Sequence, residues 1–123
     1  MPHRILIIED ERIIADTLGI ILRKRGFECD VAYSAGEALA AAKKAGPHLI
    51  LGDISLPDGS GLTVVSEIAK WYPECRVILL TGRYSNLRDA QDWVRSHAIP
   101  ARILTKPLLP ALLLQEMDEI LRA

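Results

Sequence analysis

The sequence predicts an α/β fold, a doubly wound parallel sheet with helices on both faces. Short apolar segments alternate with longer segments of helical periodicity along the 123 residues. The apolar segments are continuous runs rather than alternating patterns, as expected for strands that are buried on both faces. Strands that alternate with helices indicate βαβ units, in which right-handed crossovers pair the strands in parallel.

Five apolar segments are predicted to be strands, covering residues 5–8, 28–32, 49–52, 77–80 and 102–104. The third is typical, because Leu49-Ile50-Leu51 is an unbroken apolar run that turn-forming residues follow. With five strands built into such units, we predict the flavodoxin-like (βα)5 order 2-1-3-4-5, a common arrangement of doubly wound sheets.

The first two helices are predicted from their apolar spacing and from their ends. Apolar residues recur at helical spacing between the first two strands, and Gly26 follows a basic stretch that suits a helix C-terminus. Ser34, with Glu37 three residues later, predicts a capping box at the start of the second helix. That helix is expected to stop at Gly46-Pro47, because proline cannot continue it.

Three more helices are predicted after the third, fourth and fifth strands, at about residues 61–71, 85–97 and 110–121. The first of them ends before Pro73, the second has only a weak apolar stripe, and the last has a strong one.

Length and composition indicate one domain, residues 1–123, and exclude several functional classes. The formal net charge of −1 gives no general attraction to nucleic acid or to an anionic membrane. No apolar stretch approaches the ~20 residues that span a bilayer, and the first apolar run is too short for a signal peptide. Cys29 and Cys75 form no C-x-x-C pair. We therefore expect a cytoplasmic protein with reduced thiols.

Polar residues follow four of the five predicted strands: Glu9-Asp10-Glu11 the first, Asp53 the third, Thr81-Gly82 the fourth and Thr105-Lys106-Pro107 the fifth. The carboxyl ends of parallel strands lie at one edge of the sheet, where open α/β folds bind ligands. These side chains are therefore expected to converge although they are far apart in sequence. Carboxylates gathered in one crevice repel one another, which raises a pKa or requires a cation.

The set suits the transfer of a phosphoryl group to a carboxylate. Ligands that are all oxygen atoms favour a hard cation such as Mg²⁺, which binds a few carboxylates together with a phosphate oxygen. Asp53 would be the nucleophile, Lys106 would supply a fixed positive charge, and the hydroxyl of Thr81 would bind one phosphoryl oxygen.

On these residues the chain resembles the receiver domain of response regulators in two-component signal transduction, the CheY-like superfamily, over essentially all of its length. The matching residues are the acidic pair Glu9-Asp10, the phospho-acceptor Asp53, the hydroxyl residue Thr81 and the pair Lys106-Pro107. The resemblance implies that Asp10 and Asp53 bind Mg²⁺ directly, that Glu9 acts nearby or through water, and that Ser55 contributes its backbone carbonyl. It also implies a cis bond between Lys106 and Pro107.

The resemblance further implies a switch that is activated by phosphorylation. A sensor histidine kinase or a histidine phosphotransfer protein would supply the phosphoryl group to Asp53, and a conformational change would relay the signal. The domain would catalyse only its own phosphorylation and dephosphorylation, so we do not expect an enzyme that acts on a separate substrate. The face made by the fourth helix, the fifth strand and the fifth helix would carry the signal, and it allows a homodimer. Direct nucleic-acid binding and membrane contact are not expected.

Four residues depart from the receiver pattern. Ile103 stands where receivers commonly carry Tyr or Phe, Ile99-Pro100 replaces the usual Gly-Ala, and Leu108 replaces a common Phe. Phosphoryl chemistry needs none of these residues, whereas the usual readout depends on the aromatic ring. The sequence therefore predicts that the switch uses another element or is muted.

Two other functions stay open on the sequence alone. One is a receiver that binds a partner without obligatory phosphorylation, or that serves as a phosphate sink, which Ile103 mildly favours. The other is a phosphatase or phosphomutase of the haloacid-dehalogenase type, whose chemistry requires a second Asp where Ser55 stands. In a receiver, Ser55 and Arg83 lie where the lifetime of the aspartyl phosphate is tuned.

Simpler structural interpretations also exist for single residues. Residues 9–11 could be acids that favour a helix N-terminus, and Asp53 could cap the turn after it. Trp93 either covers the sheet or contacts a partner.

Overall fold

A computed structural model of the chain describes residues 3–82 and 84–122. Five strands form one parallel sheet, and they are β1 Arg4–Ile8, β2 Glu28–Ala32, β3 Leu49–Asp53, β4 Arg76–Thr81 and β5 Ala101–Thr105. Their order across the sheet is β2-β1-β3-β4-β5. The predicted order and all five predicted strands are confirmed, with each end within one residue.

Five helices cover the sheet, and they are α1 Arg12–Lys24, α2 Ala35–Lys44, α3 Gly61–Trp71, α4 Tyr84–Ser96 and α5 Pro110–Arg122. The helices predicted at 61–71, 85–97 and 110–121 are confirmed, with shifts of at most one residue. A short hairpin, in which Ser55–Leu56 pairs with Gly59–Ser60, was not predicted. It lies in the loop between β3 and α3.

The core has two layers because successive strand residues point to opposite faces of the sheet. In β1, Leu6 and Ile8 pack on the side of α2, α3 and α4, whereas Ile5 and Ile7 pack on the side of α1 and α5. All four residues of this run are at most 1% exposed. Burial of each such side chain stabilises the fold by about 1.5–3 kcal/mol, which explains the unbroken apolar runs.

The start of α2 is capped from two directions. The hydroxyl of Ser34 accepts from the Glu37 N–H at 3.2 Å, which confirms the first half of the predicted capping box. The Glu37 carboxylate accepts from the Tyr33 N–H rather than from Ser34. In addition, Asp58 accepts from the N–H groups of residues 35 and 36 at 2.8 and 3.2 Å. These backbone hydrogen bonds lower the pKa of Asp58 and tie the β3–α3 loop to α2.

Helix α4 is held against α3 by a buried tryptophan. The indole N–H of Trp93 donates to the hydroxyl of Ser66 in α3 at 2.7 Å. The imidazole of His97 stacks on the indole at 4.0 Å between ring centres and lies 3.3 Å from the same hydroxyl. Trp93 is only 6% exposed, so it covers the sheet rather than offering its ring to a partner.

The cysteines are free thiols, as predicted. Burial raises the pKa of Cys75 to about 11 and also raises the pKa of Cys29. Within residues 3–82 and 84–122, no helix has the length and apolar character needed to cross a bilayer.

Gly61 is the glycine whose replacement by another residue the fold tolerates least. A Cβ at this position would lie 1.9 Å from the backbone oxygen of Asp53. Gly61→Ala is expected to lower the free energy of unfolding by about 3 kcal/mol, the upper end of the usual cost of overpacking, because backbone atoms cannot move aside easily.

Gly36→Ala is the matched control, since a Cβ there would meet its nearest atom, on Asp58, at 3.8 Å. Removing a helical glycine is expected to stabilise the protein by roughly 0.5–1 kcal/mol. Urea denaturation measures both effects, and equal midpoints for the two variants would contradict the packing argument.

Candidate functional site

The carboxyl ends of four neighbouring strands bring the predicted polar residues together. Glu9 follows β1, Asp53 ends β3, Thr81 ends β4 and Lys106 follows β5. The pairing of Ile8 with Gly52 places Glu9 and Asp53 side by side, and Thr81 pairs with Thr105 next to the lysine. The predicted convergence at one edge of the sheet is therefore present.

Lys106 connects the two buried carboxylates. Its Nζ donates to Asp53 Oδ2 at 2.9 Å and also donates to Glu9 Oε1. Glu9 is 0% and Asp53 is 6% exposed. The Lys106 backbone N–H donates to the Thr81 carbonyl at 2.9 Å, and the Lys106-Pro107 bond is cis, as predicted. One ammonium thus compensates two acids that water scarcely reaches.

Backbone donors hold the second oxygen of each carboxylate. The Ser55 N–H donates to Asp53 Oδ1 at 3.2 Å, and the Glu11 N–H donates to Glu9 Oε2 at 3.1 Å. Glu11 is the residue before α1, and its own side chain makes no capping hydrogen bond. Glu9 is buried and paired with Lys106, so the preference of acids for a helix N-terminus does not by itself explain residues 9–11.

The charges of Glu9 and Lys106 affect each other's protonation. Burial raises the pKa of Glu9, and the hydrogen bonds from Lys106 and from the Glu11 N–H offset only part of that rise. Burial disfavours the ammonium of Lys106, but its hydrogen bonds to Glu9 and Asp53 and the negative charges of these two acids together outweigh burial, and the pKa of Lys106 is raised. Lys106 therefore keeps its positive charge at neutral pH.

Three carboxylates are placed so that they could share a cation. Oxygen atoms of Glu9, Asp10 and Asp53 all lie within 4.8 Å of one another. Asp10 is exposed, so the cluster opens to solvent on that side. A donor set made only of carboxylate oxygens fits a hard divalent cation such as Mg²⁺. Ser55 lies next to this cluster, and the metal role of its carbonyl stays a prediction.

Two further residues border the site. Thr81 is 2% exposed at the end of β4. Asn86, in the first turn of α4, donates from Nδ2 to the hydroxyl of Ser55 at 2.7 Å. Sequence reasoning missed Asn86, because no local pattern links two residues that are 31 positions apart. Arg83, which was expected to affect the lifetime of the aspartyl phosphate, lies outside the described residues.

Three of the four residues that depart from the receiver pattern contribute to the core, whereas Pro100 is exposed. Ile103 and Ile99 are half-buried and pack on the same cluster as Ala90 and Trp93. Leu108 is half-buried on the other side of the sheet. The aliphatic side chain of Ile103 therefore belongs to the packing between β5 and α4.

Comparison with known proteins finds a matching family model and several similar solved structures. The sequence model described as "Response regulator receiver domain" matches residues 5–118. A CheY-like response regulator receiver domain protein from Methanospirillum hungatei JF-1 is 32% identical, with a TM-score of 0.89 over 99% of this chain and 95% of that chain. The receiver domain of NtrX from Brucella abortus is 30% identical, with a TM-score of 0.84 over 97% and 98% of the two chains.

A longer relative is the probable transcriptional regulatory protein TcrX from Mycobacterium tuberculosis. It is 33% identical over 82 residues, which are 67% of this chain and 35% of that protein. The chain therefore matches only about a third of the length of this relative.

Lys106→Met is expected to lower the free energy of unfolding by about 3 kcal/mol in the absence of divalent cations. The reason is that removing one partner of a buried ion pair leaves uncompensated charge, here on Glu9 and Asp53. Urea denaturation in a chelating buffer measures the effect, and adding Glu9→Gln to the variant should restore part of the loss.

Lys70→Met is the control, because Lys70 pairs with Glu67 at 3.8 Å on the surface and its side chain is 76% exposed. An exposed pair of this kind contributes about 0–1 kcal/mol. If the two lysine variants lose the same stability, the ion pairs of Lys106 do not hold the site together.

Proposed function

Because the chain belongs to the response regulator receiver domain family, we propose that residues 1–123 form one receiver domain that captures a phosphoryl group on Asp53. The observation that carries the proposal is the buried Asp53 carboxylate, 2.9 Å from the Lys106 ammonium and beside two further carboxylates. The donor is a sensor histidine kinase or a histidine phosphotransfer protein.

In the proposed transfer, a carboxylate oxygen of Asp53 attacks the phosphorus of a phosphohistidine. The new P–O bond forms as the P–N bond breaks, and the electron pair of that bond stays on the imidazole nitrogen, which takes a proton from solvent. Lys106 offsets the negative charge of the phosphoryl oxygens, and the Thr81 hydroxyl donates to one of them. The chain catalyses only this step and the later hydrolysis, and acts on no separate substrate.

The residues proposed to hold Mg²⁺ are Asp10, Asp53 and the Ser55 carbonyl, with Glu9 nearby or through water. When bound, Mg²⁺ would neutralise charge on the phosphoryl oxygens. Lys106 contacts two of these residues, Glu9 and Asp53.

A protein donor is supported by the surface beside the site. An apolar groove between α1 and the residues after β5 begins at Lys106 and is lined by Ile13, Ile14, Pro107 and Leu108. Ile13 is 84% exposed, which a small-molecule donor alone would not require. The continuity of this groove with Lys106 supports its assignment to the phosphodonor protein.

Transmission of the signal is proposed to involve α4, because Ile103 and Trp93 share one core cluster below that helix.

A homodimer through the face of α4, β5 and α5 is proposed as one readout. On that face Arg102 is already paired within the chain, with Glu116 and with Glu119 at 2.6 Å. Since Ile103 lacks the usual ring, a receiver whose partner binds independently of phosphorylation is the second candidate.

Acetyl phosphate with Mg²⁺ tests the proposal directly. The wild-type protein is expected to gain the mass of one phosphoryl group, and Asp53→Asn is expected to gain none. Asp58→Asn is the control, because Asp58 is an exposed acid in the loop that follows Asp53 and lies outside the carboxylate cluster of Glu9, Asp10 and Asp53. Failure of both the wild type and the control to become phosphorylated would reject the proposal.

Mg²⁺ binding is expected to depend on Asp10 and not on its neighbour Glu11. Asp10→Asn should raise the Mg²⁺ concentration for half-maximal thermal stabilisation by about 10-fold or more, whereas Glu11→Gln should leave it unchanged. Both changes remove one exposed carboxylate charge, so they separate a ligand from a general electrostatic effect. Equal shifts for the two variants would argue against the site.

A further inference from the structure

Asn86 joins two segments that flank the acceptor. Its Nδ2 donates to Ser55 Oγ at 2.7 Å, and Ser55 lies two residues after Asp53. Asn86 belongs to α4, which follows β4, and β4 pairs directly with β3. The hydrogen bond therefore crosses the crevice between the carboxyl ends of these two strands.

The Ser55 backbone is already fixed from the other direction. Its N–H donates to Asp53 Oδ1 at 3.2 Å, and it pairs with Ser60 in the short hairpin. The bond to Asn86 additionally holds the side chain in one rotamer. A hydroxyl that accepts a hydrogen bond keeps its own proton for donation, so the Ser55 O–H can still bind a phosphoryl oxygen or a water molecule.

Loss of the phosphoryl group requires water to reach the phosphorus from the solvent side. The water oxygen bonds to phosphorus, the bond from phosphorus to the Asp53 oxygen breaks, and its electron pair returns to the carboxylate. The proton of the water passes to solvent, and inorganic phosphate leaves. Asp53 is 6% exposed while Ser55 is exposed, so the Ser55 side chain lies at the solvent boundary of the acceptor.

We propose that Asn86 is a positioning residue. It prolongs the lifetime of the aspartyl phosphate by holding the Ser55 side chain across this boundary. The inference rests on the proposed function of Asp53. Asn86 acts through Ser55, and the lifetime of the phosphoryl group thereby depends on the position of α4. A partner that moves the first turn of α4 would change how long the signal lasts.

The test is the decay of phosphorylated protein after the removal of acetyl phosphate, followed by intact mass. Asn86→Ala is expected to shorten the lifetime about 2- to 10-fold, the rate effect of losing one hydrogen bond. Ser55→Ala should have a similar effect, and the double variant should decay no faster than the faster single variant, because both changes remove the same bond.

Gln91→Ala is the matched control, because Gln91 is an exposed amide residue in the same helix. It should decay at the wild-type rate. Urea midpoints measured in parallel show whether a variant has lost structure in general. If Asn86→Ala fails to fold, Ser55→Ala still tests the inference, because it leaves α4 unchanged.

The outcomes separate the two proposals. A wild-type protein that is never phosphorylated would overturn the function of Asp53 and this inference with it. A wild-type protein that is phosphorylated and decays at the same rate as both Asn86→Ala and Ser55→Ala would overturn this inference alone. Strictly additive effects of the two substitutions would also reject it.

Discussion

The ammonium of Lys106 is the group on which the site depends. Glu9 and Asp53 are both buried, and two such carboxylates would repel each other strongly without a cation between them. Lys106 reaches both from the end of β5, which lies two strands from β3 in the sheet. The same charge is the one proposed to offset a phosphoryl group on Asp53.

The loop that follows Asp53, between β3 and α3, makes contacts with three different helices. Asp58 receives hydrogen bonds from the first turn of α2, and Gly61 starts α3 directly against the Asp53 carbonyl. Asn86 reaches the same loop from α4. Loops are usually the more mobile part of a fold, and these contacts restrict the one beside Asp53. Asp53 itself is positioned by β3, where it pairs with Leu80, and the helices position the loop that follows it.

The sequence predicts the sheet well and the contacts between side chains poorly. Runs such as Leu49-Ile50-Leu51 mark buried strands, and polar residues at their carboxyl ends predict the convergence of Asp53 and Lys106. The cap by Asp58 and the bond from Asn86 could not be predicted. They join residues 22 to 31 positions apart, and they depend on side-chain rotamers that no local pattern specifies. The direct contact of Lys106 with Glu9, across 97 positions, is of the same kind.

The environment of Trp93 has a consequence for the fluorescence of the protein. The chain has two tryptophans, of which Trp93 is enclosed between α3 and α4 and Trp71 is 36% exposed. The stacked imidazole of His97 and the Ser66 hydroxyl give the indole of Trp93 a distinct environment. Its fluorescence therefore reports on the contact between α3 and α4 without any attached dye. A chain with Phe in place of Trp71 would carry that emission alone and would report any movement of α4 relative to α3 in real time.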